Sequence, residues 1–241
     1  MNADQLSILY KFIEEGEHQQ QDFKFEISDA RKIAKTLSAF SNTDGGRLLV
    51  GVKDNGKIAG VRSEEEIYII EAAAKLYSKP QVECEMKIHR VEGRTVLEVI
   101  VPPGKHKPYF AKDSDNRLWA YIRIKDENIL ANPVHLKIWQ QTVTTKGAFI
   151  HYSREEQLLL DYLSSHPDIS IGQYCCLARI PRHKAENTLA RFIRFGLVEI
   201  VFVDRKFRFR QAIQTGESPE HREADSVTNT GKPEIKFPLP L

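Results

Sequence analysis

Lys184, Asn187, Arg191 and Arg194 stand at i, i+3, i+7 and i+10, a spacing that gathers long polar side chains on one face of a helix. Side chains of this kind reach phosphate oxygens and base edges, so the chemistry they suggest is nucleic-acid binding. A second set follows closely. Lys206, Arg208 and Arg210 alternate with Phe207 and Phe209, which puts the cations on one face of a strand, with Arg205 in the turn before them. Residues 151–213 hold ten Lys and Arg against seven Asp and Glu, a local balance of +3 in a chain whose total is only +2. The competing reading is an ordinary solvated face on a small module that binds protein partners. A chain this close to neutral lacks the broad basic field that would decide between them.

The elements that must position these residues are legible. Ser153-Arg154-Glu155-Glu156 reads as a capping box opening a helix with Leu158, Leu159, Tyr162 and Leu163 inside, broken at His166-Pro167. A short helix from Ile171 to Ala178, a turn through Ile180-Pro181 and a helix from Arg182 to Phe195 follow, the last with Ala185, Leu189, Phe192 and Ile193 inward. Strands at Ile200–Val203 and Lys206–Arg210 turn at Asp204-Arg205. Three helices followed by a hairpin, over residues 151–213, resemble a winged helix-turn-helix.

The longer N-terminal part, residues 1–143, reads as α+β. A helix over Asp4–Glu15 stops at Gly16, and a strand over Gln21–Ile27 alternates Phe23 and Phe25 on a core side with Asp22, Lys24 and Glu26 on an outer, charged side. Asp29 caps a helix over Ala30–Ser41, which runs out at Asn42-Thr43-Asp44-Gly45-Gly46. Asn42 and Thr43 either fix that turn through their side chains or face a ligand, and Gly45 and Gly46 allow positive φ. Leu48–Val52 is predicted to form a hairpin with Ile58–Val61 through Asp54-Asn55-Gly56-Lys57. Then come a helix from a capping-box-like Ser63 to Tyr77, antiparallel strands Val82–Val91 with Thr95–Val101 and Lys107–Ala111 with Leu118–Ile124, and a helix Pro133–Gln141 capped by Asn132. Thr142–Ile150 is the expected boundary, and the polar stretch after residue 213 is expected to be a disordered tail.

The stretch Ser38–Gly46 (SAFSNTDGG) followed by Leu48–Val61 (LLVGVKDNGKIAGV) resembles the signature of the Schlafen-type, AlbA-like DNA-binding domain, which bacteria often join to a helix-turn-helix. Glu17 to Lys24 is similar to that family's E-x-x-x-x-E-F-K strand, with aspartate in place of the second glutamate. Val101-Pro102-Pro103-Gly104, Lys107-Pro108-Tyr109 and Tyr121-Ile122-Arg123 match its second half, with Lys125 where many members have glycine. The resemblance implies two functions. One is DNA binding in transcriptional regulation, with a homodimer expected because one recognition helix covers half a site. The other is metal-dependent ribonuclease activity, whose three carboxylates fall on Glu17, Asp22 and Asp54, holding Mg²⁺ or Mn²⁺ against a scissile phosphate of RNA. Lys24, on the Asp22 face of its strand, is placed to neutralise that phosphate. Without the nuclease chemistry no cofactor is expected.

Other classes are excluded or unsupported. No G-x-x-x-x-G-K-[ST] loop occurs, so nucleotide hydrolysis has no motif. Cys84, Cys175 and Cys176 form neither a disulfide framework nor a zinc pattern, and the adjacent pair reads as buried thiols in an apolar helix. His106, His135 and His151 have no metal-ligand spacing and read as packing or solvated histidines, and Trp119 and Trp139 as core or interface. No run of eighteen apolar residues occurs, so no membrane partner is expected and the cytoplasm is the expected compartment.

Overall fold

The computed structural model describes residues 3–140 and 153–213, with side chains from residue 6 onward. The expected boundary at Thr142–Ile150, His151 and the tail after residue 213 lie outside the described residues. The chain divides into two compact units, one ending at Ala131 and the other beginning at Asn132.

The first unit is organised around a helix almost entirely enclosed. This helix, α2 (Ala30–Asn42), follows α1 (Ala3–Glu15) and strand β1 (Gln21–Lys24). Asp29 accepts from the Arg31 amide at 2.9 Å, the expected N-cap. Residues Thr36 through Asn42 are all buried, so the second half of α2 has no solvent face. Such a helix must be covered on every side. One cover is a four-stranded sheet in the order β1-β2-β5-β4, built from β2 (Gly46–Val50), β4 (Glu85–Val91) and β5 (Arg94–Val101) beside β1. Another is a second four-stranded sheet, β3-β6-β7-β8, from β3 (Ser78–Lys79), β6 (Phe110–Lys112), β7 (Leu118–Ile124) and β8 (Glu127–Leu130). Helix α3 (Glu65–Lys75) packs along α2.

Alternation in the first sheet splits the core in two. Leu48, Val50, Leu97, Val99 and Val101 join Leu37 and Phe40 of α2, whereas Phe23, Leu49, Val91 and Val96 join Leu9 of α1 on the opposite face. The two Leu48/Leu49 neighbours therefore serve different clusters.

Three expectations are corrected here. Val52 meets Ile58 only as an isolated bridge; β2 lies between β1, parallel to it, and β5, antiparallel. The reason is steric and topological: Gly51, at φ +90, turns the chain, and its carbonyl accepts from both Ala59 and Gly60 instead of continuing a ladder. β1 ends at Lys24 rather than Ile27, and Phe25 is exposed. No side-chain cap forms at Glu64; the Ser63 hydroxyl accepts from the Glu65 amide instead. The strands β3 and β8 were not anticipated.

The second unit begins with α4 (Pro133–Gln140), whose Val134 and Ile138 lie in its core, so this helix belongs with the C-terminal unit rather than the first 143 residues. Then come α5 (Arg154–Ser165), α6 (Ile171–Ala178), α7 (Arg182–Arg194) and a hairpin of β9 (Val198–Val203) and β10 (Lys206–Gln211). The Ser153/Glu156 capping box forms as expected, and Ser170 with Gln173 forms a second. Ile169 bridges to Phe209 in both directions, at 2.7 and 2.9 Å, which extends the hairpin by one antiparallel neighbour. Tyr174, Leu189, Phe192 and Phe209 fill the centre. Cys176 is exposed and Cys175 half-buried, against the expected buried pair.

Candidate nucleic-acid interface

On α7 the inward face is the expected one, with Ala185, Leu189, Phe192 and Ile193 buried, and Lys184, Asn187 and Arg191 emerge on the exposed side. Arg194 is half-buried at the helix end. The cations do not stand alone. Lys184 Nζ lies 3.0 Å from a Glu155 carboxylate oxygen, and Arg191 pairs with Glu156. Both acids sit in the first turn of α5, where free backbone amides favour negative charge. The Glu155 carboxyl is held down at about 2 by its own helix-terminal amide, then by Lys184 and Ser153. In the hairpin, Arg208 pairs with Asp168 at 2.6 Å and Arg210 with its cross-strand neighbour Glu199 at 2.5 Å. Arg205 and Lys206 are exposed at the turn.

The row of cations is therefore largely balanced by carboxylates from neighbouring elements. Spacing along α7 revealed which residues share a face, but not that α5 delivers two acids to that face. Lys184 and Arg191 remain accessible all the same, with 48% of each side chain exposed. The Lys184–Glu155 pair, open to solvent at both ends, contributes little, so a phosphate can replace that carboxylate, whereas Glu156, the partner of Arg191, is buried.

In the first unit, Glu17 and Asp22 come together. After Gly16 ends α1 the chain turns back, and Glu17 Oε1 accepts from the Phe23 amide at 2.9 Å. Burial and a hydrogen bond to the Asp22 carboxyl push the Glu17 pKa up. Asp22 is not on an outer charged face: it is 3% exposed, directed toward α2. Its two oxygens are taken up by Arg123 Nη2 at 3.2 Å and Lys24 Nζ at 2.8 Å. Lys24 thus neutralises Asp22, not a phosphate.

Asp54 lies apart, on the exposed turn formed by residues 53–57. Among the described residues, no group of three or more His, Cys, Asp and Glu is placed to hold a metal ion. A hard cation needs several oxygen ligands, and two protein cations already occupy the approach to Asp22. The expected Mg²⁺ or Mn²⁺ site on Glu17, Asp22 and Asp54 does not fit this arrangement.

The Asn42–Gly46 turn is structural. Asn42 Nδ2 donates to the carbonyls of Tyr109 and Tyr121 at 2.7 and 2.9 Å, while its Oδ1 accepts from the Tyr109 amide at 2.8 Å. Thr43 Oγ1 donates to the Ala39 carbonyl at 2.7 Å, and Lys107 Nζ donates to the Thr43 carbonyl at 3.0 Å. A Cβ on Gly45, at φ +73, would lie 2.7 Å from the Val101 carbonyl oxygen, and one on Gly46 would enter the Phe40 ring. The glycines let α2 turn directly into β2 under β5.

Arg123 entered the sequence reading only within the Tyr121-Ile122-Arg123 match and was given no role, yet it holds the most buried charge of this unit. It is 1% exposed and bonds Asp22, the Gln21 carbonyl and Asn128. An arginine flanked by Ile122 and Ile124 in a strand is the signal that could have found it. A second buried network joins Glu98 to Arg47 and His89, each at 2.7 Å.

Residues 17–132 match the family model described as Schlafen, AlbA_2. Among solved structures, the chain is similar to the DIP2311 protein of Corynebacterium diphtheriae, with 23% identity over 51% of this chain and a TM-score of 0.37. It spans 24% of that protein's length. It is also similar to the N-terminal domain of a RecG-related protein of Nitrosomonas europaea, with 23% identity over 60% of this chain and 98% of that one, again at a TM-score of 0.37. At that TM-score neither likeness bears on function. No match was found among curated proteins. No described helix is long and apolar enough to cross a membrane.

Proposed function

We propose that the protein binds nucleic acid, that its second unit is a winged helix-turn-helix reading duplex DNA, and that it acts in transcriptional regulation as a homodimer. The observation that carries this reading is the outer face of α7. Lys184, Asn187 and Arg191 emerge together there on the exposed side, in a unit whose last three helices, α5 to α7, precede a hairpin with Arg205 and Lys206 at its tip. A helix with accessible donors on one face and a packed apolar stripe on the other is what a major groove accepts. The Schlafen, AlbA_2 match in the first unit agrees with a nucleic-acid-related role.

The test is equilibrium binding of the full chain to mixed-sequence duplex DNA across a salt series. Lys184→Ala/Arg191→Ala should weaken binding about tenfold or more and flatten the log–log salt slope by roughly 2, since two phosphate contacts are lost. Unchanged affinity and slope would remove α7 from the interface. A duplex RNA arm distinguishes DNA from RNA as the ligand.

A further inference from the structure

We infer that the protein pairs with a second copy of itself through helix α3, packed antiparallel across a two-fold axis at Ala72. This deepens the homodimer reading and rests on it, but needs nothing from the second unit. α3 has two apolar faces. One, with Ile70, Ala73 and Ala74, is buried in the main core of the first unit. On another side Tyr68, Ala72 and Leu76 follow one another at i, i+4 and i+8, a single line along the helix surface. Tyr68 is 67% exposed and Leu76 61%, the two most exposed large apolar side chains of the unit. A helix apolar on more than its core side calls for a second partner. A groove of about 510 Å³ borders the line, lined by Tyr68, Ile69 and Ala72 of α3, by Arg31 at the start of α2 and by Tyr77.

Charge selects the occupant. Glu64 and Glu65 are exposed at the start of α3 and Lys75 at its end, with Tyr68, Ala72 and Leu76 between them. Parallel packing of two copies would set acid against acid. Antiparallel packing sets Glu65 of each copy against Lys75 of the other, at both ends of the line. At the centre Ala72 meets its own equivalent, where a methyl group lets the two backbones come close, and Tyr68 of each copy lies against Leu76 of the other. Lys75 has Glu71 of its own helix at 3.0 Å, a contact in open solvent that a second carboxylate can share. An unrelated partner would need base, apolar line and acid in this order, which α3 itself, run backwards, already supplies.

Sedimentation equilibrium of the full chain without nucleic acid, over a range of concentrations, gives the dimer constant. Tyr68→Ser/Leu76→Ser should weaken dimerisation roughly a hundredfold, since a two-fold axis removes each side chain twice. Both residues are on the surface, so the far-UV circular dichroism should not change. Glu65→Lys and Lys75→Glu should each weaken dimerisation about tenfold by setting like charges together. An equimolar mixture of those two chains should recover to within about threefold of the unmodified dimer, because the mixed pair sets Lys against Glu at both ends. A dimer indifferent to the Tyr68 and Leu76 changes would overturn this interface and leave the homodimer reading standing. No recovery in the mixture would overturn the antiparallel register. A chain monomeric at every concentration would overturn both, and the α7 variants on duplex DNA then decide the winged-helix reading separately.

Discussion

Asp22 and Arg123 show how a single buried pair sets its surroundings. Asp22 is 3% exposed and Arg123 1%, so both charges have left water; Arg123 finds its counter-charge in Asp22 at 3.2 Å, and Asp22 has Lys24 as well, at 2.8 Å. Arg123 also ties the Gln21 carbonyl to Asn128, joining β1 to β7 and β8. Arg123→Met leaves Asp22 buried with Lys24 as its remaining cation. Urea unfolding should report a loss of about 3–5 kcal/mol, the usual cost of breaking a buried pair from one side. A loss under about 1 kcal/mol would mean that Lys24 alone carries Asp22. The raised Glu17 pKa belongs to the same cluster, since its carboxyl is half-buried and shares a hydrogen bond with Asp22. The sign follows from the direction. A carboxyl whose folded pKa lies above its unfolded value favours the fold below the unfolded pKa, and that gain is lost as pH rises through the folded value.

Among the elements, α2 depends on polar contacts made within an apolar enclosure. Ser38 and Asn42, one turn apart, face the start of β6 and the middle of β7: Ser38 Oγ donates to the Tyr109 carbonyl at 2.8 Å and accepts from the Tyr121 amide at 3.2 Å. With the Asn42 bonds, these side chains satisfy backbone groups that the two strands leave open beyond the Phe110–Ala120 pair. Asn42→Ala strands the Tyr121 carbonyl and the Tyr109 amide, while the Tyr109 carbonyl keeps its bond from Ser38. At about 1–3 kcal/mol per orphaned group, and with some groups keeping other partners, the expected loss is about 3 kcal/mol in thermal or urea unfolding. Asn42→Asp restores only the acceptor and should recover little of it. Neutral effects in both would mean that the turn after α2 is fixed by its glycines alone.

For the molecule as a whole, acid should act unevenly on the two units. His135 in α4 is buried beside Phe207, with ring centroids 5.1 Å apart, and Trp139 at 5.8 Å, and burial pushes its pKa down to about 4. A histidine whose folded pKa lies below the unfolded value of about 6.5 stabilises the fold above pH 6.5, and the contribution is lost as pH falls from there to 4. Over those 2.5 units the loss approaches roughly 3 kcal/mol at 1.36 kcal/mol per unit. Hydrogen exchange of the second unit, followed from pH 7.5 to 4.5 with intrinsic rates corrected, should show its opening free energy falling, and His135→Leu should flatten that fall. An equal fall in the variant would assign the acid lability elsewhere.

Much of the fold and part of the site can be read from the chain alone, because local physics governs them. The 3.6-residue spacing in Lys184, Asn187 and Arg191 and the apolar stripe opposite them are properties of one helix. The same holds for the Asp29 and Ser153 caps, the alternation Lys206-Phe207-Arg208-Phe209, and the Asn42–Gly46 turn. What only the tertiary structure decided concerns groups separated in sequence. That β1 lies parallel to β2, that Arg123 reaches Asp22 across 101 positions, and that Asp54 stays outside the Glu17–Asp22 pair all depend on where α2 is enclosed between two sheets. The pairing of Lys184 and Arg191 with α5, and the gathering of Arg31, Tyr68, Ala72 and Tyr77 around one groove, depend likewise on packing. Periodicity constrains a side chain's direction within its own element; which charge it meets there is set by the burial of apolar faces, which draws the elements together.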